Sequence, residues 1–438
     1  MSSKQFLQQV TSYIRSKEAR SYVEEELQHH LTNSKQAWVN KGHSPKEAEQ
    51  KAIAEMGSAS QLGKSMDKIH RPKWDLWLIG AVMLLILVSF IPILTTDFSQ
   101  QFGSGMNRYF VEHKIIHIIL AIAGIAVIMY FDYRKLQRFS MLIYGVGLLL
   151  LSSLWFMPTD FVNGQAMFTI GPIRIQSWAV LPLLLVAFAG FFTERKWKGW
   201  TLIGLFLLPL FFFIMIANPA VMLLFIGVVV VLFSFSYFNR KVKLYVILVA
   251  GGLGLALLAY SVYAYNYLLV PYQTERIAAF LHPELYADSA GYLMLHLRTV
   301  LAGAGWFGAE TMYYVPEAHT DYALVQLIQS YGYVAGITVI IVILAVALRI
   351  LWMVRTMPQS FGKLLVLAAV ALYSCQSIYS IFMVFGFLPL TGVPLPFISY
   401  GITPLLLNAF LIGLVLSVYR RKAYIGKQVF SAPRKPSI

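Results

Sequence analysis

Ten long apolar runs follow one another along most of this chain. A helix of about 20 apolar residues crosses the hydrocarbon core of a bilayer, so runs of this kind predict membrane spans. They cover residues 74–94, 115–131, 139–157, 178–192, 200–217, 221–238, 244–265, 322–354, 364–387 and 398–419. The fourth run is short, and only Asn218-Pro219 separates the sixth from the fifth. The pattern predicts an all-α, polytopic integral membrane protein with about ten transmembrane helices.

The first 73 residues differ, because their apolar positions recur at helical spacing among polar ones. The two apolar stripes are Phe6, Val10, Tyr13 and Ile14, then Val23, Leu27, Leu31 and Trp38. Ser44-Pro45-Lys46-Glu47 predicts a helix start with a capping box, and Gly57 predicts the end of that helix. We therefore expect a small N-terminal helical domain with no catalytic constellation of its own.

This N-terminal segment resembles the short helical prefix found ahead of some bacterial permeases and membrane enzymes. The likeness rests on residues 26–31 (Glu-Leu-Gln-His-His-Leu) and on the spacing of Gly42, Ala48, Ala52 and Gly57. Because the segment contains no catalytic constellation, a docking or regulatory role is expected rather than chemistry. His29 and His30 are expected on a solvated helix face rather than at a metal.

Composition and charge define the class of protein and its orientation. The chain is 58% hydrophobic and 13% charged, with a mean hydropathy of +0.65, which excludes an ordinary soluble domain. Lysine and arginine cluster after the even-numbered runs, within 132–138, 193–199, 239–243, 355–363 and 420–435. Because cytoplasmic loops are rich in these residues, both termini are predicted to be cytoplasmic. Topology and contact with membrane lipids then explain the net charge of +15, and no nucleic-acid partner is required.

The single cysteine, Cys375, lies within an apolar run, which excludes disulfides and cysteine-rich metal sites. The polar start of the chain predicts no cleavable signal peptide, so the first span is expected to act as an uncleaved anchor. The expected division is a cytoplasmic helical domain over 1–73, a ten-span membrane domain over 74–425 and a basic cytoplasmic tail over 426–438. The expected location is the bacterial cytoplasmic membrane.

The segment from Val315 to Asp321, Val-Pro-Glu-Ala-His-Thr-Asp, places polar side chains directly before the long apolar run 322–354. A carboxylate in the first turn of a helix faces unpaired N–H groups and the positive end of the helix dipole. Asp321 would then stay ionised at the membrane surface and could accept a proton from a substrate hydroxyl. The alternative is that Thr320 and Asp321 only cap the helix.

Two blocks of residues indicate a family. The first contains Tyr272, Arg276, Pro283, Asp288 and Gly291-Tyr292, then Gly305-Trp306-Phe307-Gly308 and Pro316-Glu317-Ala318-His319-Thr320-Asp321. The second contains Gln376, Gly386 and Thr391-Gly392-Val393-Pro394-Leu395-Pro396-Phe397-Ile398-Ser399-Tyr400-Gly401. Together they resemble the SEDS family (shape, elongation, division and sporulation), which includes the FtsW, RodA and SpoVE proteins.

The resemblance implies a peptidoglycan glycosyltransferase. Such enzymes polymerise the disaccharide-pentapeptide of lipid II on the outer face of the cytoplasmic membrane, in cell division, elongation or sporulation. They usually work beside a class B penicillin-binding protein that makes the crosslinks. The key acid of the family falls on Asp321.

The reaction that the resemblance implies suits residues of this chain. The acceptor hydroxyl loses a proton as it attacks the donor sugar, so a single carboxylate such as Asp321 can act as general base. The departing polyprenyl diphosphate needs cations, and Arg276, Arg298 and Lys114 are candidates, with or without a divalent cation. Each of these three cations is also explained as an interfacial side chain that reaches lipid headgroups.

Glu317 lies four residues before Asp321, so the two carboxylates share a face if the turn is helical. A second carboxylate would raise the pKa of the base or help to hold a metal. His319 is expected either to hydrogen-bond Asp321 or the substrate diphosphate, or to order the loop.

Pro394-Leu395-Pro396 lacks two backbone donors and is expected to be non-helical. Such backbone at membrane depth is tolerated only where it is buried in protein or lines a cavity. Ser399 and Tyr400 are therefore expected either to line the substrate site or to serve packing alone.

Several polar groups of the family pattern are replaced in this chain. In the loop before the fourth span Gln176 is retained as a candidate substrate-binding residue, whereas the paired arginines, the glutamate and the lysine are absent. The family block Pro-Asp-Leu-Gly-Thr corresponds to Pro219-Ala220-Val221-Met222-Leu223, which loses its acid. These losses favour a second interpretation, a catalytically weak or inactive scaffold that recruits a penicillin-binding protein. A third, a transporter of lipid-linked precursors, is disfavoured because transporters place ionisable groups at the bilayer midplane.

Overall fold

The computed structural model describes most of the chain. The residues described are 1–98, 103–162, 165–170, 173–216, 218–246, 248, 252, 271–357 and 360–425. The chain divides into two compact units. Of the described residues, the first unit contains 1–75, 356–357 and 418–425, and the second contains the remainder.

The first unit begins with four helices around an apolar core. They are α1 (Ser3–Ser12), α2 (Lys17–Asn40), α3 (Pro45–Met56) and α4 (Ala59–Ile69). Buried side chains from both predicted stripes form this core, among them Phe6, Val10, Ile14, Val23, Leu27 and Leu31. Tyr13, predicted to belong to the first stripe, is instead 39% exposed. Trp38 lies at the edge of the unit, where the ammonium groups of Lys41 and Lys51 pack over its ring.

The predicted start of α3 is confirmed in detail. The Ser44 side chain accepts a hydrogen bond from the Glu47 N–H, and the Glu47 carboxylate accepts one from the Ser44 N–H. Gly57 ends the helix with φ 75°, a left-handed conformation that glycine adopts without strain. His29 and His30 are exposed, as predicted.

The second unit consists mainly of apolar helices, and the last of them continues from Val418 into the residues of the first unit. In chain order they are α5 (Leu76–Val88), α6 (Ile91–Thr95), α7 (Met106–Tyr130), α8 (Arg134–Arg138), α9 (Ser140–Phe156), α10 (Leu181–Phe191), α11 (Gly199–Met215), α12 (Pro219–Ser234), α13 (Pro271–Leu281), α14 (Tyr292–Ala302), α15 (Ala323–Val354), α16 (Ser360–Val384) and α17 (Ile402–Ile425). Within the described residues, five segments are long and apolar enough to cross a membrane by length and composition: Leu76–Thr95, Met106–Tyr130, Ala323–Val354, Ser360–Val384 and Ile402–Lys422.

The remaining predicted spans correspond to shorter apolar helices. The runs 139–157, 178–192, 200–217 and 221–238 match α9, the Ser177–Phe191 segment, α11 and α12. The run 244–265 lies almost entirely outside the described residues. Helix α16 lies at the centre of the second unit, where it packs against α10, α12 and α15.

The structure differs from the predicted runs in two of the segments between spans. Helix α7 begins at Met106 rather than at residue 115, which places Lys114 inside the helix and not in a loop. The segment before the fourth span forms an antiparallel sheet of β1 (Asp160–Val162), β2 (Gln165–Ile170) and β3 (Ile173–Ile175). These strands are too short to give a periodic signal that differs from that of a loop.

Helix α15 is interrupted at Gly332, although its sequence predicts one continuous span. Gly332 has φ 81°, and a Cβ there would clash with the Trp306 carbonyl oxygen. The loop that contains Trp306 satisfies backbone groups freed by the break: Tyr333 N–H donates to Gly305 (3.1 Å) and Val334 N–H to Trp306 (3.2 Å). An apolar span tolerates such a break only when other protein groups satisfy its backbone.

Candidate active site

The two blocks singled out in the sequence meet in the second unit. The Tyr400 N–H donates a hydrogen bond of 2.7 Å to the His319 carbonyl oxygen. Gly392 packs directly against Asp321, because a Cβ at Gly392 would lie 2.8 Å from the Asp321 Oδ2. Tertiary folding thus brings together residues more than seventy positions apart.

Both blocks contain a strained backbone. Among the described residues, the only non-glycine residues with positive φ are Glu317 (48°) and Phe397 (62°), one in each block. Such conformations cost free energy and cluster at functional sites when the surrounding structure enforces them. At Glu317 the turn is fixed locally, since its carboxylate accepts a hydrogen bond of 2.7 Å from the Thr320 hydroxyl.

Asp321 does not cap a helix. Helix α15 begins at Ala323, its N-cap residue is Tyr322, and no side chain caps it. Both the expected placement of Asp321 in the first turn and the capping alternative for Thr320 and Asp321 were therefore wrong. The prediction failed because the Pro316–Tyr322 turn continues to the helix start and directs the carboxylate toward Gly392.

The Asp321 carboxyl is poised to take up a proton near neutral pH. Burial, together with the nearby negative charge of Glu317, raises its pKa from 3.8 to about 6. The condition for a shared helical face is not met, because Glu317 has a positive φ and the turn is not helical there. The two carboxylates nevertheless lie close enough for their charges to repel each other. A carboxylate with this pKa is largely ionised at pH 7 and matches the requirement for a general base.

His319 orders the site rather than bonding to Asp321. Its ring packs edge-on against Phe98 (5.0 Å between centroids) and Phe110 (4.9 Å), and 5.5 Å from Tyr400. Among the described residues, no hydrogen bond joins the ring to a carboxylate. Burial lowers the pKa of His319, with Glu317 opposing and Lys114 assisting, so the ring is neutral at pH 7. Of the two roles predicted from the sequence, the geometry favours ordering of the loop.

Lys114 is fully buried, with 0% of its surface exposed, and lies beside the second block. Its ammonium donates to the Ser399 carbonyl oxygen at 3.4 Å and lies 6.0 Å from the centre of the Tyr400 ring. The alternative of an interfacial side chain that reaches headgroups is excluded, because that role requires an exposed ammonium. A buried cation is retained where it meets an anion, and here the described neighbours offer a carbonyl rather than a carboxylate.

Ser399 and Tyr400 differ in their surroundings. The Ser399 hydroxyl accepts a hydrogen bond of 2.8 Å from the Leu395 N–H and so closes the non-helical turn after Pro394. Tyr400 is partly exposed and contacts both Lys114 and His319. The geometry therefore gives Ser399 the packing role and leaves Tyr400 as the lining residue.

The family of cell cycle proteins that groups FtsW, RodA and SpoVE matches residues 74–424. The chain belongs to this family. Among its curated relatives, the probable peptidoglycan glycosyltransferase FtsW of Trichlorobacter lovleyi is 24% identical, over 79% of this chain and 93% of the relative. The protein of the same description from Shewanella sediminis is 27% identical, over 75% and 82% of the two chains.

Solved structures show the same fold. A chain from a peptidoglycan synthase complex that coordinates polymerization and crosslinking aligns with a TM-score of 0.66 at 22% identity, over 80% of this chain and 98% of that one. The rod shape determining protein RodA of Thermus thermophilus aligns with a TM-score of 0.55 at 18% identity, over 79% and 96%. This family member is therefore an all-α polytopic membrane protein, as predicted.

The residues around Asp321 form what we call the Asp321 cluster: Glu317, Gly392, His319, Phe98, Phe110, Lys114 and Tyr400. The other predicted residues, Arg276, Arg298 and Gln176, differ in their relation to this cluster. Arg276 is exposed on α13. Burial and the charge of Asp321 raise the pKa of Tyr322, and the positive charge of Arg276 partly opposes this rise. Arg276 therefore lies close enough to Tyr322 to act on its charge. Arg298 on α14 instead pairs with Glu284, at 3.4 Å. The Gln176 amide donates to the Met167 sulfur at 3.6 Å, within the segment of the small sheet.

Three residues of the Asp321 cluster were not predicted as site residues from the sequence: Gly392, Phe98 and Phe110. Gly392 was noted only as part of a motif, and Phe98 and Phe110 lie between the predicted runs 74–94 and 115–131. No local signal distinguishes these aromatic residues from interfacial ones. Among the described residues, no group of three or more His, Cys, Asp and Glu side chains is arranged to hold a metal ion.

Proposed function

We propose that this protein polymerises peptidoglycan glycan strands from lipid II, the polyprenyl-diphosphate-linked disaccharide-pentapeptide, on the outer face of the cytoplasmic membrane. The observation that carries the proposal is Asp321, a partly buried carboxyl with a pKa of about 6 where two distant motifs meet. Asp321 takes the proton from the acceptor hydroxyl as that oxygen attacks the anomeric carbon of the donor. The bond to the diphosphate breaks in the same step, and the polyprenyl diphosphate leaves.

The cations near Asp321 are proposed to stabilise the departing diphosphate. Lys114 is the stronger candidate, because its buried ammonium has no described carboxylate partner and a diphosphate would supply the missing negative charge. Arg276 is exposed close to Tyr322 and is proposed to hold the outer phosphate. Arg298 already pairs with Glu284 and is proposed to hold the loop rather than the substrate.

The membrane arrangement is part of the proposal. We propose ten spans, both termini in the cytoplasm, a helical domain over 1–73, a membrane domain over 74–425 and a basic tail over 426–438, which lies outside the described residues. The match to the family over 74–424 supports the first boundary. With Cys375 replaced by serine, a cysteine at Ser289 should label from outside and one at Ser431 only after permeabilisation. The reverse pattern would overturn this topology.

A class B penicillin-binding protein is the proposed partner, supported by the similarity to a chain from a peptidoglycan synthase complex. The second candidate function, a scaffold for such a partner, is favoured by one observation. The family block Pro-Asp-Leu-Gly-Thr corresponds to residues 219–223, so Ala220 stands where the family has its aspartate. Ala220 and the next residue, Val221, are buried at the start of α12, so this part of the helix bundle lacks that acid.

The deciding experiment uses purified full-length protein, lipid II and a gel that resolves glycan polymers. Asn at position 321 has the size of aspartate but cannot take up a proton, so Asp321→Asn should lower the rate by about 10²–10⁴. Glu25→Gln, which removes an exposed carboxylate from α2 in the first unit, is the matched control and should leave the rate unchanged. Absence of polymer from the folded wild type, with a penicillin-binding protein present, would favour the scaffold. Equal rates for Asp321→Asn and wild type would remove Asp321 as the base.

A further inference from the structure

A basic cavity in the first unit is unrelated to the Asp321 cluster. Its volume is about 390 Å³, and Arg15, Ser16, Lys17, Pro72 and Arg420 line it. Three of these five residues are cationic and none is acidic. We propose that this basic pocket binds the phosphate group of an anionic ligand, and that the ligand is the headgroup of an anionic phospholipid.

The lining has the donors that a phosphate requires. Ser16 is the N-cap of α2, a helix of 24 residues, so the positive end of the helix dipole lies at the pocket wall. Arg15 and Lys17 flank this N-terminus with exposed side chains. A helix start alone would not define a site, but here three cations and a cavity coincide with it.

Asp67, an acid beside the pocket, is already bonded to other groups. Asp67 accepts a hydrogen bond of 2.8 Å from the backbone N–H of Arg15 and lies 3.7 Å from the Arg71 guanidinium. It is therefore engaged with a backbone group and with a cation outside the lining. Among the described residues, no ion pair involves the side chains of Arg15 or Lys17.

The position of the pocket along the chain favours a lipid over a soluble phosphate. Pro72 lies two residues before the first apolar run, and Arg420 directly follows the last one. The Lys73 N–H donates to the Arg420 carbonyl oxygen at 3.3 Å, which joins these two segments. Trp74 follows Lys73 in the chain and is 50% exposed. Tryptophan is typical of the interface between membrane and water. The lining thus coincides with the points where two predicted spans leave the bilayer.

The size of the pocket also suits a headgroup. Its volume falls within the range of about 300–1,000 Å³ found for small-molecule sites and exceeds what a bare phosphate fills. A glycerol phosphate headgroup adds hydroxyls that Ser16 and the backbone can bond. Each cation near an anionic surface strengthens binding by about fivefold, so two cations should contribute about 25-fold.

The test uses the full-length protein in a neutral detergent and three probes: short-chain phosphatidylglycerol, short-chain phosphatidylcholine and inorganic phosphate. Arg15→Gln combined with Lys17→Gln removes two lining charges. Lys46→Gln combined with Lys64→Gln removes two exposed charges from the same unit outside the pocket and is the matched control. Dissociation constants are measured by titration calorimetry, and circular dichroism confirms that each variant is folded.

Phosphatidylglycerol should bind more tightly than phosphatidylcholine, and the double pocket variant should lose about 25-fold in affinity while the control stays within about twofold. If inorganic phosphate binds as tightly as phosphatidylglycerol, and the pocket variant loses this binding, the pocket is an anion site but its ligand is not a lipid. Two outcomes would overturn the pocket itself. One is an equal loss of phosphatidylglycerol affinity in both double variants. The other is a wild type that neither prefers phosphatidylglycerol to phosphatidylcholine nor binds inorganic phosphate.

Discussion

Replacing Asp321 by asparagine should make the protein more stable at neutral pH while it removes polymerisation. The wild-type carboxyl has a pKa of about 6 in the folded protein instead of 3.8, because burial and Glu317 disfavour its charge. Each pKa unit corresponds to about 1.4 kcal/mol, so the ionised carboxylate destabilises the folded state by about 3 kcal/mol at most. The side chain keeps some contact with solvent, and we expect about 1–2 kcal/mol.

The pH dependence has a defined sign. Between about pH 4 and pH 6 the folded wild type binds more protons than the unfolded chain, so this carboxyl makes the folded state less stable as the pH rises through that window. Below about pH 4 the carboxyl is neutral in both states, and the difference between wild type and Asp321→Asn should vanish. Above about pH 6 the difference should be full and constant.

The assay is thermal unfolding of both proteins in one detergent from pH 4 to pH 8, followed by intrinsic fluorescence. A gain of about 1–2 kcal/mol should raise the midpoint of Asp321→Asn by a few degrees at pH 7.5 and by nothing at pH 4. A purely structural role predicts the opposite, a lower midpoint at every pH. An unchanged or lower midpoint at pH 7.5 would therefore refute the assignment of a buried, destabilised base.

Three further outcomes are expected. Glu317→Gln removes the charge that helps to raise the Asp321 pKa, so the acidic limb of the pH–rate profile should move to lower pH; a limb that moves upward would contradict this coupling. Gly392→Ala places a Cβ 2.8 Å from the Asp321 Oδ2 at φ 67° and should lower the polymerisation rate, whereas Gly57→Ala, equally strained but with no atom within 4 Å, should affect only stability. A chain that starts at Arg71 should insert into membranes and still polymerise lipid II in the same gel assay, since the first 73 residues have no catalytic constellation; a folded but inactive protein would disprove that.

Local chemistry was sufficient for part of this fold. The capping box at Ser44 and the non-helical backbone around Pro394 depend on residues within a few positions of each other, and both predictions were confirmed. Membrane spans likewise follow from composition, since the bilayer selects for apolar length whatever the packing. The identity of Asp321 as the candidate base came from a motif resemblance, which its burial now supports.

Tertiary structure alone decided how the site works. The break at Gly332 exists because a loop that starts at Gly305 supplies carbonyl groups to the interrupted helix, and no local pattern announces that loop. Lys114 is buried because the Ser399 segment, 285 positions away along the chain, covers its ammonium. The pKa of Asp321 depends on burial by distant segments such as the one at Gly392. Sequence determines which groups are present, but burial and charge proximity are properties of contacts between distant segments, and these set the chemistry of each group.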